Sequence, residues 1–117
     1  MHLSREKEIA AFQAQLRTQE VDAVDPSWAP RASRALREDF ERFGHEDRFR
    51  LRAVDCRTDS CVADVEFPSY GAAQTSWGTV LHLPRTDNCA TTVVLDHDPE
   101  DATAPYRSRV LYSRCVR

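Results

Sequence analysis

The chain contains few glycines and none of the glycine-based motifs that mark common enzyme classes. Three glycines occur in 117 residues, and they form neither a phosphate-binding loop nor the Gly-x-Ser-x-Gly turn of α/β-hydrolases. The sequence therefore argues against a nucleotide-dependent enzyme and against a hydrolase of that class.

Long apolar runs are also missing. No segment approaches the ~18 apolar residues that a membrane-spanning helix needs. The first residues, MHLSREKEIAAF, are too charged for the apolar region of a signal peptide. If the protein is exported, we expect that a leader or an anchor in front of this chain has been removed.

Lysine occurs once, at Lys7, so nearly all basic side chains are arginines. The 16 basic residues are outnumbered by 19 acidic residues, and the resulting net charge of -3 predicts no general attraction to nucleic acid. A hydrophobic content of 41% and a charged content of 30% are typical of a soluble domain. The length suits one core.

The spacing of apolar residues predicts three helices. The first, over residues 4–19, has a thin apolar stripe: Ile9, Phe12 and Leu16. We therefore expect residues 1–24 to form an N-terminal helix that acts as a stalk or linker, in front of a single α+β domain over residues 25–117.

The second helix runs from Trp28 to Phe43 and has Gly44 after its last turn. The third begins after the capping residue Ser69 and carries Trp77 on its apolar stripe. This placement predicts that Trp77 belongs to the core, whereas Trp28, at a helix start beside two prolines, is more open.

Four segments with alternating or β-branched residues predict two hairpins. CVADVEF alternates strictly, but the preceding FRLRAVDC does not, which predicts a bulge near Ala53 that sends Arg50 and Arg52 outward. CATTVVLDH and YRSRVLYSRCV flank a polar loop and form the second hairpin. The element order α-α-β-β-α-β-β predicts an α+β fold, with a four-stranded antiparallel sheet and the helices packed on one face.

Strand register predicts the cysteine pairing in both hairpins. If RTDS is a four-residue loop, Cys56 faces Cys61 at disulfide distance. If the second loop is centred between Asp98 and Tyr106, Val93 faces Leu111 and the same register brings Cys89 to Cys115. These four cysteines, Cys56, Cys61, Cys89 and Cys115, are thus expected in two disulfides, although a pairing between the hairpins stays open.

Two disulfides in a short chain indicate an oxidising compartment such as the bacterial periplasm. A redox-active pair is less favoured, because Cys56 and Cys61 have too long a spacing and lie on strands beside Asp55 and Asp59. Structural zinc is less favoured because the other two cysteines have no close partner.

The remaining polar residues provide weaker candidates. The loop from Asp96 to Asp101 is rich in carboxylates, but it lacks the glycine and the distal glutamate of a calcium loop, so we assign no metal and no cofactor. His82 and His97 are the histidines around which a small hydrolase site with Asp and Ser would form. We assign no catalytic residue.

Residues that face solvent in this arrangement are candidates for contact with a protein partner. Trp28 is one, as an exposed tryptophan marks binding hot spots. The others would form a basic strip on the solvent face of the sheet: Arg50, Arg52, Arg107 and Arg109.

Two segments resemble an uncharacterised family of small proteobacterial envelope proteins. VDPSWAPRASRALREDFERF supplies Asp25, Trp28 and Ala29 of a D-x-x-W-A helix start. LRAVDCRTDSCVADVEF is similar to the family's V-[DE]-C-R-[ST]-x-x-C-x-V-x-[VF] hairpin at these positions: Val54, Asp55, Cys56, Arg57, Thr58, Cys61 and Val65. The resemblance covers residues 20–67 and implies export and a hairpin disulfide, but no activity. Val62 departs from the arginine that often follows the second cysteine in the family.

We therefore expect a non-catalytic binding or adaptor module of the bacterial envelope, without cofactor or nucleic-acid partner, that contacts another protein. The alternatives are a small periplasmic hydrolase and an immunity-type protein that neutralises an exported toxin. A deep polar pocket beside a histidine would favour the enzyme, whereas an exposed apolar patch or an unpaired sheet edge would favour the binding module.

Overall fold

The computed structural model describes residues 2–45, 47–85 and 88–115. The helices are α1 (His2–Val21), α2 (Ala29–Phe43) and α3 (Tyr70–Leu81). The strands are β1 (Arg50–Cys56), β2 (Cys61–Phe67), β3 (Ala90–Val93) and β4 (Tyr106–Ser113). Within these residues, no helix combines the length and the apolar character needed to cross a membrane.

The four strands form one antiparallel sheet in the order β1-β2-β4-β3. Two hairpins, β1–β2 and β3–β4, are joined through the pairing of β2 with β4, and β1 and β3 are the two edges. The predicted α+β fold, its element order and its four-stranded antiparallel sheet are confirmed.

The bulge predicted near Ala53 is also present. The pairing of β1 with β2 shifts between Leu51 and Ala53, which leaves Arg52 as the extra residue. Because the bulge changes the alternation by one position, Leu51 and Val54 both pack against the core, while Arg52 is exposed.

The register predicted for the second hairpin is wrong by one residue. Val93 faces Val110 instead of Leu111. The observed pairing matches side-chain burial, because Val93 and Val110 both belong to the main core. Leu111 points to the opposite face of the sheet and packs there in a separate cluster.

Both predicted disulfides are confirmed. Cys56 faces Cys61 directly, with Cα atoms 4.0 Å apart. Cys89 and Cys115 lie beyond the ends of β3 and β4, also with Cα atoms 4.0 Å apart. Arg114 adopts a left-handed conformation, with φ of 51°, and this turn brings Cys115 to Cys89 despite the shifted register.

The main core lies between the sheet and two helices. It joins Leu36 and Phe40 of α2 and Ala73 and Val80 of α3 to the inward-facing side chains of the strands. These strand residues include Ala63, Val65, Phe67, Val110 and Tyr112.

α1 does not share this face, which corrects the expectation that all helices pack on one side. Its Phe12 and Leu16 are each 2% exposed and pack with Leu111, and Val62 contacts the same cluster. This second apolar surface is small, because most of the other side chains that β2 and β4 present on this face are charged. The division of the chain into residues 1–24 and 25–117 stays a prediction.

Candidate functional site

The segments that carry the family resemblance meet at the tip of the β1–β2 hairpin. The Arg57 guanidinium donates to both carboxylate oxygens of Asp55 at 2.8 Å and to the carbonyl oxygen of Asp22 at 3.2 Å. The Thr58 hydroxyl donates to the carbonyl oxygen of Ala23 at 2.7 Å. The hairpin tip therefore fastens the connection between α1 and α2. The hydrogen bond to Asp55 raises the pKa of Arg57.

Asp25 and Trp28 belong to the same contact. The Asp25 backbone N–H donates to the carbonyl oxygen of Arg57 at 3.3 Å, and the Trp28 N–H donates to the carbonyl oxygen of Asp25 at 3.1 Å. The Asp25 carboxylate accepts hydrogen bonds from the N–H and hydroxyl of Ser27. The Trp28 side chain is partly buried against the core. These contacts join the start of α2 to the hairpin tip.

Trp77 is not in the core, contrary to expectation, because its side chain is 41% exposed. The buried residues of α3 are Ala73, Ser76 and Val80. Trp77 follows Ser76 by one position, about 100° around the helix, so it lies at the margin of the buried stripe. The more exposed tryptophan is therefore Trp77.

Trp77 borders an open groove of about 390 Å³, which we call the Trp77 groove. One wall is the first half of α1, and the other is α3. The segment Val93–Leu95, at the end of β3, lies between them. Most of the lining residues are apolar and three are polar or charged: Ile9, Tyr70, Trp77, Val93, Val94 and Leu95, with Arg5, Glu8 and Gln74.

The groove runs along an edge of the sheet. β3 pairs with β4 on one side, and in the described part of the chain no strand pairs with its other side. An edge strand presents backbone N–H and C=O groups that can pair with an added strand. The Arg5 guanidinium reaches this segment from α1 and donates to the carbonyl oxygen of Leu95 at 3.5 Å.

The four arginines of the expected strip lie on β1 and β4. The register pairs Arg50 with Glu66 and Glu66 with Arg107, so these three side chains share one face of the sheet. Arg107 lies 3.3 Å from Asp64 and 3.5 Å from Glu66, and Arg109 lies 3.4 Å from Glu20 of α1. These two arginines are therefore paired on the face that α1 partly covers. Arg50 and Arg52 lie on the edge strand β1 and line a second groove, which α2 also borders.

A polar groove of about 390 Å³ lies beside His97 and includes Asp96, Arg107 and Ser108. The His97 ring is 3.1 Å from the Asp96 carboxylate and stacks on the Tyr106 ring at 4.4 Å. The Ser108 hydroxyl, however, is buried and donates to the carbonyl oxygen of Val94 at 3.3 Å. Within the described residues, no serine hydroxyl is hydrogen-bonded to His82 or His97.

Tyr106 is a titratable residue that contacts His97 beside this groove. Its hydroxyl donates to the carbonyl oxygen of His97 at 2.7 Å. Burial raises the pKa of Tyr106, so the hydroxyl keeps its proton and this hydrogen bond to a higher pH than an exposed tyrosine would. The contact fixes the position of the loop that carries His97.

The acidic loop from Asp96 to Asp101 forms no multidentate site. Among the residues that the structure describes, no group of three or more His, Cys, Asp and Glu side chains is placed to hold a metal ion. The Asp101 carboxylate accepts from the hydroxyl and N–H of Thr103 at 2.7 and 2.9 Å, and these bonds lower the pKa of Asp101.

Sequence reasoning did not find the Trp77 groove. The spacing of apolar residues predicts Ile9 on the stripe of an α1 stalk and Trp77 on the core stripe of α3, and neither assignment brings the two side chains to one groove. One feature of the sequence does indicate the groove. The apolar stripe of α3 is wider than the face that the helix buries against the sheet, so some of its apolar side chains stay exposed.

Comparison of the chain with protein-family models, with curated proteins and with solved structures finds no match. The resemblance to small proteobacterial envelope proteins therefore stays a prediction, and the functional argument depends on the geometry of the molecule itself.

Proposed function

We propose that this protein is a non-catalytic binding module of the bacterial cell envelope that engages a protein partner through the Trp77 groove. The observation that carries the proposal is the position of Trp77, which is 41% exposed beside the edge of β3 that no strand pairs with among the described residues. Tryptophan is among the residues that most often dominate protein interfaces, because it buries a large rigid surface.

The groove suits an extended segment of a partner. A strand added to β3 would gain backbone hydrogen bonds along the edge, as in other complexes formed by strand addition. One of its side chains would lie against Tyr70 and Trp77 of α3, and the next would point to Ile9 of α1, because successive side chains in a strand alternate. Arg5 and Glu8 supply the polar rim that protein interfaces usually have.

The proposed location rests on the cysteines. All four are in disulfides. Such bonds persist mainly in exported proteins, because the cytosol keeps most thiols reduced. The two disulfides are therefore the structural feature that supports export.

Photo-crosslinking can test this proposal while the partner is unidentified. Trp77 would be replaced by p-benzoylphenylalanine, with the same replacement at Val21 as the control, since Val21 is 85% exposed but outside the groove. We expect position 77 to capture a defined protein in bacterial envelope extract and position 21 not to capture it. The partner would be identified by mass spectrometry and purified.

The affinity of the purified partner for Trp77→Ala should then fall at least about tenfold, as hot-spot truncations do. Phe43→Ala is the matched control, since Phe43 is also exposed, at 38%, and lies outside the groove. Equal capture at both crosslinking positions, or unchanged affinity of Trp77→Ala, would contradict the proposal.

A second candidate, a small hydrolase, is favoured by one observation, the contact of His97 with Asp96 beside a polar groove. Its weakness is that the lining Ser108 hydroxyl is committed to a backbone carbonyl. A screen of ester, peptide and phosphoester substrates with the wild type and His97→Ala tests it. Turnover that His97→Ala abolishes would favour the enzyme over the binding module.

A further inference from the structure

The edge of the sheet opposite the Trp77 groove carries a second groove with different chemistry, which we call the β1 groove. It has a volume of about 440 Å³ and lies between the C-terminal half of α2 and the edge strand β1. The lining residues are these: Arg37, Phe40, Glu41, Gly44, His45, Phe49, Arg50, Leu51 and Arg52.

The charge of the β1 groove is opposite to that of the whole chain. The chain has a net charge of -3, whereas the lining contains three arginines and one carboxylate. Elsewhere on the sheet, arginines are paired: Arg107 with Asp64 and Glu66, and Arg109 with Glu20.

The three groove arginines are not neutralised in this way. Among residues 2–45, 47–85 and 88–115, the side chains of Arg37, Arg50 and Arg52 form no hydrogen bond and no ion pair within 4.0 Å. Unpaired guanidinium groups beside one another attract anions and can hold carboxylates by two parallel hydrogen bonds.

The floor of the β1 groove is apolar and firmly packed. Phe49 is 2% exposed and contacts Phe40 edge to face, with ring centroids 6.1 Å apart. It also packs on Phe67 at 6.2 Å. An occupant would therefore meet a rigid hydrophobic base flanked by cationic side chains, which requires little ordering of the protein on binding.

The bulge in β1 is part of this arrangement. Arg52 is the extra residue of the bulge, and both Arg50 and Arg52 are exposed. If the pairing continued from Leu51 without a bulge, the residues after Arg52 would point to the opposite face of the sheet. Bulges of this kind often redirect side chains beside functional sites.

From these observations we infer that the β1 groove binds an acidic, extended segment of a protein partner, whose carboxylates pair with Arg37, Arg50 and Arg52. The inference rests on the proposed binding function and adds the chemistry of a second contact. An extended peptide fits better than a nucleic acid or an anionic membrane, because the site is a groove at a strand edge within an acidic protein.

Charged residues on an edge strand have another known role, since they prevent self-association through the edge. A peptide-binding experiment separates the two roles. The probe is a short fluorescein-labelled peptide that alternates glutamate with valine, and the control peptide alternates glutamine with valine. Binding to the full chain would be followed by fluorescence anisotropy.

We expect the acidic peptide to bind and the glutamine peptide to bind at least about tenfold more weakly. Arg50→Gln combined with Arg52→Gln should weaken binding of the acidic peptide at least about tenfold. The matched control is Arg31→Gln combined with Arg34→Gln, which removes the same charge from exposed positions of α2 outside the groove and should change binding less than about twofold.

The peptide measurement does not involve the partner captured at position 77, so failure of this inference is distinguishable from failure of the proposed function. Circular dichroism would confirm that each variant is folded, and Arg37→Gln provides an independent loss from the other wall. Equal weakening by both double variants would overturn the inference. The inference would also be overturned if the peptide did not bind and the Arg50 and Arg52 variant self-associated. It would be overturned as well if the protein bound oligothymidylate or phosphatidylglycerol vesicles more tightly than the peptide.

Discussion

Asp55, Arg57 and Thr58 are polar residues that form hydrogen bonds within the molecule. Together they bind the backbone of the α1–α2 connection at Asp22 and Ala23. A connection without regular structure must satisfy its backbone groups through such side chains or through water. Residues of this kind resemble a functional cluster in sequence, yet their contacts show that they stabilise the fold.

Gly44 is the residue whose small size matters most. Its φ of -76° is accessible to any residue, so it does not adopt the left-handed conformation common after helices. A Cβ atom at Gly44 would instead lie 2.3 Å from the carbonyl oxygen of Phe40, which accepts the Gly44 N–H. The helix end and the β1 groove therefore depend on the absence of a side chain here.

Gly44→Ala should lower the free energy of unfolding by about 1–3 kcal/mol, since the backbone must move to accommodate the methyl group. Gly78→Ala is the matched control, because nothing lies within 4 Å of its added Cβ. In the interior of α3 it should stabilise the protein by about 0.5–1 kcal/mol. Urea denaturation measures both, and destabilisation of equal size in the two variants would contradict the explanation.

At the scale of elements, α1 is the helix whose role changed most between sequence and structure. Its thin stripe predicted a stalk or linker, but Phe12 and Leu16 are buried against Leu111. Gln19 adds a hydrogen bond from its side-chain amide to the carbonyl oxygen of Asp55 at 3.0 Å. α1 thereby covers part of the second sheet face and forms one wall of the Trp77 groove.

Phe12→Ala should lower the free energy of unfolding by about 3–5 kcal/mol, the usual cost of removing a buried phenylalanine ring. Val21→Ala, at an 85% exposed position of the same helix, should change it by less than about 0.5 kcal/mol. Urea denaturation gives these values, and hydrogen exchange should show faster exchange in α1. If Phe12→Ala were as stable as Val21→Ala, α1 would be a loosely attached stalk after all.

Local patterns predicted the elements well, because each depends on neighbours in sequence. The Ser69 hydroxyl accepts the Ala72 N–H as a helix cap should, and the mismatch in strand alternation located the bulge at Arg52. Local patterns did not predict the position of a residue when its burial depends on an element distant in sequence. Leu111 fitted either sheet face, and only the position of α1 decides between them. The margin of α3 likewise could not be located before its neighbours were known, so Trp77 was misplaced.

At the scale of the whole molecule, the two candidate contacts lie at opposite edges of one sheet. β3 offers an apolar groove with an exposed tryptophan, and β1 offers a groove with three arginines. A sheet with two differently equipped edges can hold two chains at once, which is the geometry that an adaptor needs. In the proposed function one partner segment occupies the β3 edge, and in the further inference an acidic segment occupies the β1 edge.

The two disulfides make the stability of the whole fold depend on an oxidising compartment. Cys89–Cys115 joins residues 26 apart, and Cys56–Cys61 joins residues 5 apart. Chain-entropy estimates are about 3.5 kcal/mol for the longer loop and about 2 kcal/mol for the shorter one. The typical stability of a domain is about 5–15 kcal/mol, so loss of both bonds would leave a marginal fold.

Replacement of Cys89 and Cys115 by alanine should therefore destabilise the protein more than replacement of Cys56 and Cys61. The longer bond also fixes the segment that follows β4, where the Cys115 N–H donates to the carbonyl oxygen of Asp59 at 3.0 Å. Urea denaturation of both variants tests the order, and a larger loss from the short bond would contradict it. Mass spectrometry of alkylated, non-reduced protein from its native host should find no free thiols. Four free thiols would contradict both the disulfides and the proposed export, because a reducing compartment would remove the stabilisation on which this fold depends.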